Sequence, residues 1–222
     1  MSSWFVFDVN ETLLDVSPLG TRLARALPSG SGAAEWFARL LHRSLVANHL
    51  DDHRAFEQLG AEVLRSMASR GGHEISGEEA HGLMEGMGDL PAHPDARPGL
   101  EALAGKGERL AALTNSSSDL AHRQLENAGL TDLFERIMSV DAVGRFKPAP
   151  EVYRHAADEC GSAIEEMTLV AAHDWDVAGA QAAGMRGCYL ARRPWGLFRP
   201  EPDRSVNSLT DLVPTLEAEW TR

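Results

Sequence analysis

The chain of 222 residues carries a formal net charge of −12, which argues against a protein that binds nucleic acid. Its hydrophobic fraction of 43% is enough for a sizeable core, and no apolar run approaches the roughly 18 residues of a membrane span. The two cysteines, Cys160 and Cys188, are too few for a disulfide framework or a zinc site. Since the N-terminus lacks the features of a signal peptide, we expect a reduced, cytoplasmic protein.

The first predicted element is a buried strand. Trp4 to Phe7 are four consecutive apolar residues, which is typical of a strand buried on both faces, and Asp8 follows directly. Ligands bind at the carboxyl ends of the strands in open α/β sheets, so Asp8 lies where a site is expected. Taken alone, Asp8 could equally begin a turn or cap a helix.

The segment 17–92 is predicted to be helical throughout. Apolar residues recur in it at helical spacing, and one such pattern ends at Gly71-Gly72. Ser76 and Glu79 have the spacing of a capping box at the start of another helix. Because this segment is inserted directly after the first strand, we expect it to leave and rejoin the core on one edge and to cover that edge as a cap.

From residue 93 onwards, predicted strands alternate with predicted helices. The last helix is expected at 209–220, and the strands are expected at 109–113, 137–139, 167–172 and 187–191. Such alternation predicts an α/β fold, with a doubly wound parallel sheet of the Rossmann-like kind and right-handed crossovers. The predicted domains are a Rossmann-like catalytic core (1–16 and 93–222) and an inserted all-helical cap (17–92).

Polar side chains follow the predicted strands at the edge where the strands end. We expect a site formed there by Asp8, Thr12, Thr114, Asn115, Lys147, His173 and Asp176. Asp8 could act as a carboxylate nucleophile that forms an ester, which water then cleaves. A nearby cation lowers a carboxyl pKa, so Lys147 would keep Asp8 ionised. Asp176 would activate the hydrolytic water, and the hydroxyl and amide groups would bind the second oxygen of Asp8 or the substrate.

Each of these residues also has a purely structural interpretation. Ser116 and Asp176 could cap the helices that follow their strands, and this role is favoured for Ser116. Lys147 could be an exposed loop cation, and His173 a surface histidine. Their joint placement at successive strand ends is what favours a functional site.

Four stretches resemble the motifs of the haloacid dehalogenase superfamily, in the same order along the chain. They lie at 7–13, 113–116, 147–153 and 171–176. The resemblance covers nearly the whole chain, and the helical insert resembles the cap that follows the first motif in one subgroup. The resemblance therefore implies the same fold and the same aspartate nucleophile.

Two positions depart from the pattern of the superfamily's phosphatases. In those enzymes a second Asp in the first motif protonates the leaving group, whereas Asn10 stands here and cannot act as an acid. Their last motif supplies a magnesium ligand at the position of Ala172, and Asp174 is displaced from it by two residues. The loss of both groups argues against magnesium-dependent phosphoryl transfer.

The subgroup that lacks both groups is that of the L-2-haloacid dehalogenases, which this sequence is similar to. The resemblance implies that Asp8 displaces a halide from a short 2-haloacid and that water activated near Asp176 hydrolyses the ester. It implies no metal and no cofactor. It assigns Asp8, Thr12, Lys147 and Asp176 to catalysis, and it assigns substrate binding to Asn10, Arg39, Thr114, Asn115, Tyr153, His173 and Trp175.

Arg39 and His173 are the weaker parts of this assignment. Dehalogenases carry an Arg directly after a Trp in the first cap helix, where it receives the halide and the substrate carboxylate, but here Phe37 follows Trp36. Arg39 on the same predicted helix is the better candidate to replace it. His173 stands where the subgroup has an asparagine, and it would orient water, bind the carboxylate or solvate a fluoride ion.

Two alternatives stay open at this point. One is a magnesium-dependent phosphatase of small phosphate esters, and the other is a non-catalytic binding module with the same fold. The expected partners are a small haloacid and a halide ion, with neither nucleic acid nor membrane. The sequence leaves open whether the chain forms a homodimer.

Overall fold

The computed structural model describes residues 3–27, 32–192, 194 and 200–217. The strands within these ranges are β1 (Trp4–Phe7), β2 (Arg109–Thr114), β3 (Arg136–Ser139), β4 (Met167–Ala171), β5 (Arg186–Leu190) and β6 (Arg204–Val206). Neighbouring strands are parallel, and they lie side by side in the order β3-β2-β1-β4-β5-β6. The predicted doubly wound, Rossmann-like parallel sheet is confirmed.

Five helices follow β1, one helix follows each of β2, β3, β4 and β6, and none lies between β5 and β6 within the described residues. In chain order they are α1 (Ser17–Ala26), α2 (Ala33–Leu50), α3 (Phe56–Arg70), α4 (Gly77–Glu85), α5 (Ala96–Gly105), α6 (Ser118–Asn127), α7 (Pro150–Cys160), α8 (Asp174–Ala183) and α9 (Leu212–Glu217). No helix in the described ranges combines the length and the apolar character that a bilayer span requires.

The position of β1 explains its apolar run. All four of its residues are buried, because the strand lies at the middle of the sheet between β2 and β4. From β1 the chain adds β2 and β3 on one side, and then crosses over to add β4, β5 and β6 on the other. The order of the strands therefore reverses between β1 and β4, and a crevice opens at the carboxyl ends of such a pair. Asp8 and His173 follow these two strands.

The predicted helical character of 17–92 is confirmed within the described residues. The capping box is present, since the Ser76 hydroxyl accepts a 3.1 Å bond from the Glu79 amide and the Glu79 carboxylate accepts a 2.9 Å bond from the Ser76 amide. Helix α3 ends at Arg70, directly before Gly71-Gly72. The treatment of this segment as a separate cap domain stays a prediction.

The chain enters and leaves this helical segment through two backbone stretches that lie side by side. The amide of Asp15 donates to the carbonyl of Pro91 at 2.8 Å, and the amide of His93 donates to the carbonyl of Leu13 at 2.8 Å. An antiparallel bridge between Leu14 and Ala92 lies between these two bonds. The segment thus leaves and rejoins the core at one place, as its position in the sequence requires.

The helical segment contacts the core beside the ends of the strands. The side-chain amide of Asn48, near the end of α2, donates to the Phe146 carbonyl at 2.9 Å and accepts from the Phe146 amide at 2.8 Å. The Glu57 carboxylate on α3 accepts a hydrogen bond from the Ser117 hydroxyl. Both contacts hold the helices over the edge at which the polar residues cluster.

Of two predictions near the C-terminus, one was wrong and the other falls partly outside the described residues. The strand at 187–191 is not the last, because β6 follows it and pairs with β5 at the edge of the sheet. With only three residues, one of them buried, β6 is too short for a periodic pattern to reveal it. The predicted helix at 209–220 begins with a 3₁₀ turn, continues as α9, and lies outside the described residues at 218–220.

Candidate active site

Asp8 lies at the centre of a buried cluster at the carboxyl end of β1. One carboxylate oxygen accepts a hydrogen bond from Lys147 Nζ at 2.9 Å, and the other accepts one from Thr12 Oγ1 at 2.7 Å and faces His173 Nδ1 at 3.2 Å. Burial alone would raise the pKa of Asp8, but Lys147 and His173 outweigh it and hold this pKa well below its usual value. Asp8 is therefore an ionised carboxylate with a fixed orientation.

Lys147 is a buried cation, not the exposed loop residue that the sequence also allowed. Its side chain is 1% exposed, and Nζ donates to Asp8, to Asp176 Oδ2 at 2.6 Å and to the Leu113 carbonyl at 2.9 Å. Burial lowers the pKa of a lysine, but the two carboxylates reverse this effect and raise the pKa of Lys147. Asn115 positions the residue by accepting a 2.9 Å bond from its backbone amide.

Asp176 lies on the far side of Lys147 from Asp8. Its second oxygen accepts a 2.6 Å hydrogen bond from the hydroxyl of Tyr153, and its side chain is fully buried. Burial raises the pKa of Asp176, and the negative charge of Asp8 acts in the same direction. The residue that caps α8 is His173, so the interpretation of Asp176 as a helix cap was wrong.

Thr12 joins the loop after β1 to the end of β4. It donates to Asp8 and accepts a 2.9 Å bond from the Ala172 amide. The Thr114 hydroxyl makes a local bond, accepting from the Ser116 amide at 3.1 Å. Ser116 does not cap α6, as the sequence had favoured, because Ser117 occupies that position and Ser116 accepts a bond from Asn10 instead.

Asn10 is held in one orientation at the wall of a cavity. Its amide nitrogen donates to Ser116 Oγ at 3.1 Å, and its oxygen accepts from Gln124 Nε2 at 2.9 Å. The cavity encloses about 220 Å³, and Glu11 and Phe37 also line it. Its other walls are mostly apolar: Val16, Leu19, Trp36, Phe56 and Met87. No sequence pattern pointed to Gln124, which is one of several polar residues on α6.

His173 connects Asp8 to Glu11, a residue to which the sequence assigned no role. Its Nε2 lies 2.6 Å from Glu11 Oε2, and its ring stacks between Phe37 at 5.4 Å and Trp175 at 5.2 Å between centroids. Burial would lower the pKa of His173, but the bonds to the two carboxylates raise it to about 9. The interpretation of His173 as a surface histidine was wrong, since it is 8% exposed.

Arg39 is not brought to this cluster. Its guanidinium binds the Glu35 carboxylate one turn earlier on α2, at 2.8 Å, and both side chains are 43% exposed. It borders a surface depression with Arg43 and Glu62, which is separate from the cavity at Asn10. The expectation that Arg39 replaces the cap arginine of the dehalogenases therefore lacks support in the geometry.

Comparison with known proteins places this cluster in a family. The model of the haloacid dehalogenase-like hydrolases matches residues 3–184. The chain belongs to this family. It is 30% identical to (S)-2-haloacid dehalogenase 4A of Burkholderia cepacia, over 98% of this chain and 96% of that one. It is 29% identical to haloacetate dehalogenase H-2 of a Moraxella species, over 84% of both chains.

A solved structure shows the same likeness. The L-2-haloacid dehalogenase of Xanthobacter autotrophicus superposes on this hydrolase with a TM-score of 0.89 at 25% identity, over 98% of this chain and 99% of that one. The same dehalogenase has also been solved with chloropropionic acid covalently bound, and it superposes equally well. The resemblance predicted from the four motifs is confirmed.

The side chains of this hydrolase do not form the magnesium site of the superfamily's phosphatases. Lys147 Nζ lies between the carboxylates of Asp8 and Asp176, where its positive charge opposes a second cation. Ala172 offers no side-chain oxygen, and Asp174 accepts a bond from the Trp175 amide. The described residues contain no group of three His, Cys, Asp or Glu side chains arranged to hold a metal ion.

Proposed function

We propose that this hydrolase cleaves the carbon–halogen bond of short 2-haloacids through an ester on Asp8, without a metal ion. One observation carries the proposal: a buried, ionised Asp8 is held by Lys147 and Thr12 two residues before Asn10. An ionised carboxylate is a nucleophile. A halide leaves without a proton, so the reaction has no need for an acid at Asn10. The dehalogenase relatives support the same substrate class.

The first step is displacement at the halogen-bearing carbon. An oxygen of Asp8 forms a bond to this carbon, and the carbon–halogen bond breaks with its electron pair on the halide. The product is an ester between the enzyme and the 2-hydroxyacid skeleton. Because the hydrogen bonds from Lys147 and Thr12 fix the carboxylate plane, the attacking oxygen is oriented before the substrate binds.

The second step is hydrolysis of the ester. Water adds to the carboxyl carbon of Asp8. Because Lys147 and Thr12 donate to different oxygens of this group, the oxygen on which negative charge develops has one of these two donors. We assign the removal of the water proton to Asp176, whose raised pKa brings it closer to the range of a useful base. When the ester bond breaks, the leaving alkoxide takes the second proton of the attacking water. This releases the 2-hydroxyacid and restores the Asp8 carboxylate, and Asp176 passes its proton to solvent.

Tyr153 and Asn115 act indirectly, by positioning the catalytic residues. Tyr153 fixes one oxygen of Asp176, and Asn115 fixes the backbone of Lys147. We assign the organic part of the substrate to the apolar cavity next to Asn10, which Glu11 and Phe37 also line. His173 contacts both of these residues and stacks on Trp175. The partners we propose are therefore a small haloacid and the halide ion that it releases.

The proposed location is the cytoplasm, because both cysteines are free thiols. Cys160 and Cys188 are buried, and burial raises their pKa values to about 11 and about 12. Thiols that stay protonated are poor nucleophiles and do not readily form disulfides.

The test is halide release from chloroacetate, bromoacetate, fluoroacetate and 2-chloropropionate, with and without EDTA. We expect release that EDTA does not change and that Asp8→Asn abolishes, while Asp158→Asn, at an exposed site on α7, retains it. Circular dichroism checks that both variants fold. Full activity in Asp8→Asn would disprove the nucleophile, and loss of activity in EDTA would favour the magnesium-dependent alternative.

A single turnover in heavy-oxygen water tests the ester itself. If water attacks the carboxyl carbon of Asp8, the label enters the Asp8 carboxylate during the first turnover, and mass spectrometry of the peptide that contains Asp8 detects it. If water instead attacks the substrate carbon directly, the label appears only in the 2-hydroxyacid. The second outcome would contradict the two-step reaction.

A further inference from the structure

Glu11 and His173 extend the cluster in a direction that the reaction above does not use. The imidazole of His173 bridges two carboxylates, with Nδ1 3.2 Å from Asp8 Oδ2 and Nε2 2.6 Å from Glu11 Oε2. Glu11 is 9% exposed. A glutamate is rarely buried to this extent unless it is paired with a charged group. The three side chains form a row from the wall of the cavity to the nucleophile.

The geometry requires a protonated imidazole. An ionised carboxylate only accepts hydrogen bonds, and a neutral imidazole has a single N–H. Both ring nitrogens of His173 face carboxylate oxygens, so both bonds form only when both nitrogens carry a proton. His173 is then a cation between two anions, in agreement with the rise of its pKa to about 9.

The surroundings keep this ring in place. Phe37 from α2 and Trp175 from α8 both stack on it, with interplanar angles of 26° and 29°. Asp8 and Glu11, from the end of β1 and the loop after it, are the charged groups at its edge. Lys147 lies on the other side of Asp8, bonded to its other oxygen.

The backbone at Glu11 is a second, independent sign of a function. Its φ angle is +63°, in the left-handed region that costs a non-glycine residue of this size some strain. Such conformations persist where the surrounding structure holds them, and they concentrate at functional sites. Here the left-handed turn is accompanied by the contact of the Glu11 carboxylate with Nε2 of His173.

We propose that Glu11 is a positioning residue, which keeps His173 protonated and its Nδ1–H directed at Asp8, and that the active enzyme carries this protonated His173. The inference rests on the proposed dehalogenase reaction. Once His173 loses its proton, the Asp8 and Glu11 carboxylates lose the positive charge that lies between them. A haloacid is an anion. We therefore expect its KM to rise at alkaline pH and kcat to fall.

The pH dependence of halide release from bromoacetate tests the proposal. In the wild-type enzyme we expect kcat/KM to fall with rising pH around the pKa of His173, about 9. Glu11→Gln removes one of the two anions, so this alkaline limb should move down by roughly one pH unit or more. Glu11→Asp keeps the charge and should restore most of the shift. Glu101→Gln, an exposed glutamate on α5, should leave the profile unchanged.

Nuclear magnetic resonance measures the same pair without any substrate. The ring signals of His173, assigned by their loss in His173→Asn, should titrate near the pKa of about 9 in the wild type and at lower pH in Glu11→Gln. This result supports the pair even if no haloacid is turned over, in which case only the proposed function fails. A His173 pKa that Glu11→Gln leaves unchanged, or an alkaline limb that stays in place, overturns the inference.

Discussion

The ammonium group of Lys147 lies 2.6 Å from a carboxylate oxygen of Asp176, and the same group binds Asp8 at 2.9 Å. One buried cation thus serves two buried carboxylates, one proposed as the nucleophile and the other as the base. Both carboxylates are buried, since the side chains are 7% and 0% exposed. The ionisation of each one therefore depends on Lys147.

Replacing this cation should affect both stability and turnover. Lys147→Met keeps most of the side-chain volume but deprives two buried carboxylates of the cation that they share. Removing one member of a buried ion pair costs about 3–5 kcal/mol, so we expect a loss of this size in the free energy of unfolding at neutral pH. Halide release should fall on the order of 100-fold or more. Urea denaturation and the halide assay measure the two effects.

Lys106→Met is the control for this variant, because Lys106 is exposed in the turn before β2. It should change neither quantity noticeably. Since protonation removes the negative charge that Lys147 no longer compensates, Lys147→Met should also lose less stability at pH 4 than at pH 7. An equal loss at both pH values would contradict the pairing of Lys147 with Asp8 and Asp176.

Gly179 on α8 packs against Pro148 and Tyr153, where an added methyl group would not fit. A Cβ atom at this position would lie 2.4 Å from Pro148 Cβ and 2.8 Å from the Tyr153 hydroxyl oxygen. Gly179→Ala should therefore cost about 1–3 kcal/mol by overpacking, and it should displace Tyr153 from Asp176. We expect turnover to fall together with the melting temperature.

The matched control is Gly82→Ala on α4, where an added Cβ meets no atom within 4 Å. Since glycine weakens a helix interior, this change should stabilise the protein by about 0.5–1 kcal/mol and leave turnover unchanged. Thermal denaturation distinguishes the two variants. A Gly179→Ala enzyme with wild-type stability would contradict the expected overpacking, because it would show that Tyr153 and Pro148 can move aside at no cost in stability.

The stability of the protein should fall between neutral and alkaline pH because of His173. Its pKa is raised from 6.5 to about 9 in the folded state, so the stabilisation is complete below pH 6.5 and is lost as the pH rises through 9. The shift corresponds to about 3 kcal/mol. Asp8 acts in the opposite sense, since its lowered pKa gives stability that is lost as the pH falls below its usual value of 3.8.

Denaturant titrations at several pH values between 6 and 9 measure this effect. The same series on His173→Gln should be flatter over this interval. The buried cysteines do not interfere, because their raised pKa values destabilise the fold only above pH 9. Equal slopes for the two proteins would contradict a protonated His173 in the folded state.

Arg39 should be dispensable for turnover. Its partner is Glu35 on the exposed face of α2, and the cluster around Asp8 does not include it. Exposed substitutions of this kind usually change free energies by less than about 0.5 kcal/mol, so kcat/KM of Arg39→Ala should stay within roughly twofold of the wild type. Steady-state halide release measures this. A KM for bromoacetate that rose tenfold would restore Arg39 as a carboxylate-binding residue.

Much of the site could be predicted because parallel strands bring their carboxyl ends to one edge. Asp8 and Asp176 follow apolar runs closely, so locating the strands was enough to place both residues. Lys147 needed more, because it does not end a strand in the structure: β3 ends at Ser139, eight residues earlier. The similarity of its surrounding motif to the family supplied the rest.

The parts that could not be predicted depend on backbone conformation and on side-chain contacts, which the periodic pattern of apolar residues does not reveal. The contact between Glu11 and His173 spans 162 residues and requires a left-handed backbone at Glu11, which no pattern indicates. The face of α2 that carries Arg39 could not be distinguished either. Its buried residues are Trp36, Leu40, Ser44 and Ala47, and Arg39 lies to one side of this stripe, within reach of Glu35.

The paired backbone at Leu13–Asp15 and Pro91–His93 bears on how this enzyme can be rebuilt. Since the two crossings are hydrogen-bonded to each other, the ends of the helical segment lie close together, as they do where insertions are tolerated. A foreign helical segment could be joined at the same two points without moving the strand that carries Asp8. This pair of crossings is accordingly the natural junction for chimaeras that combine the buried charges of this chain with the helical segment of a relative.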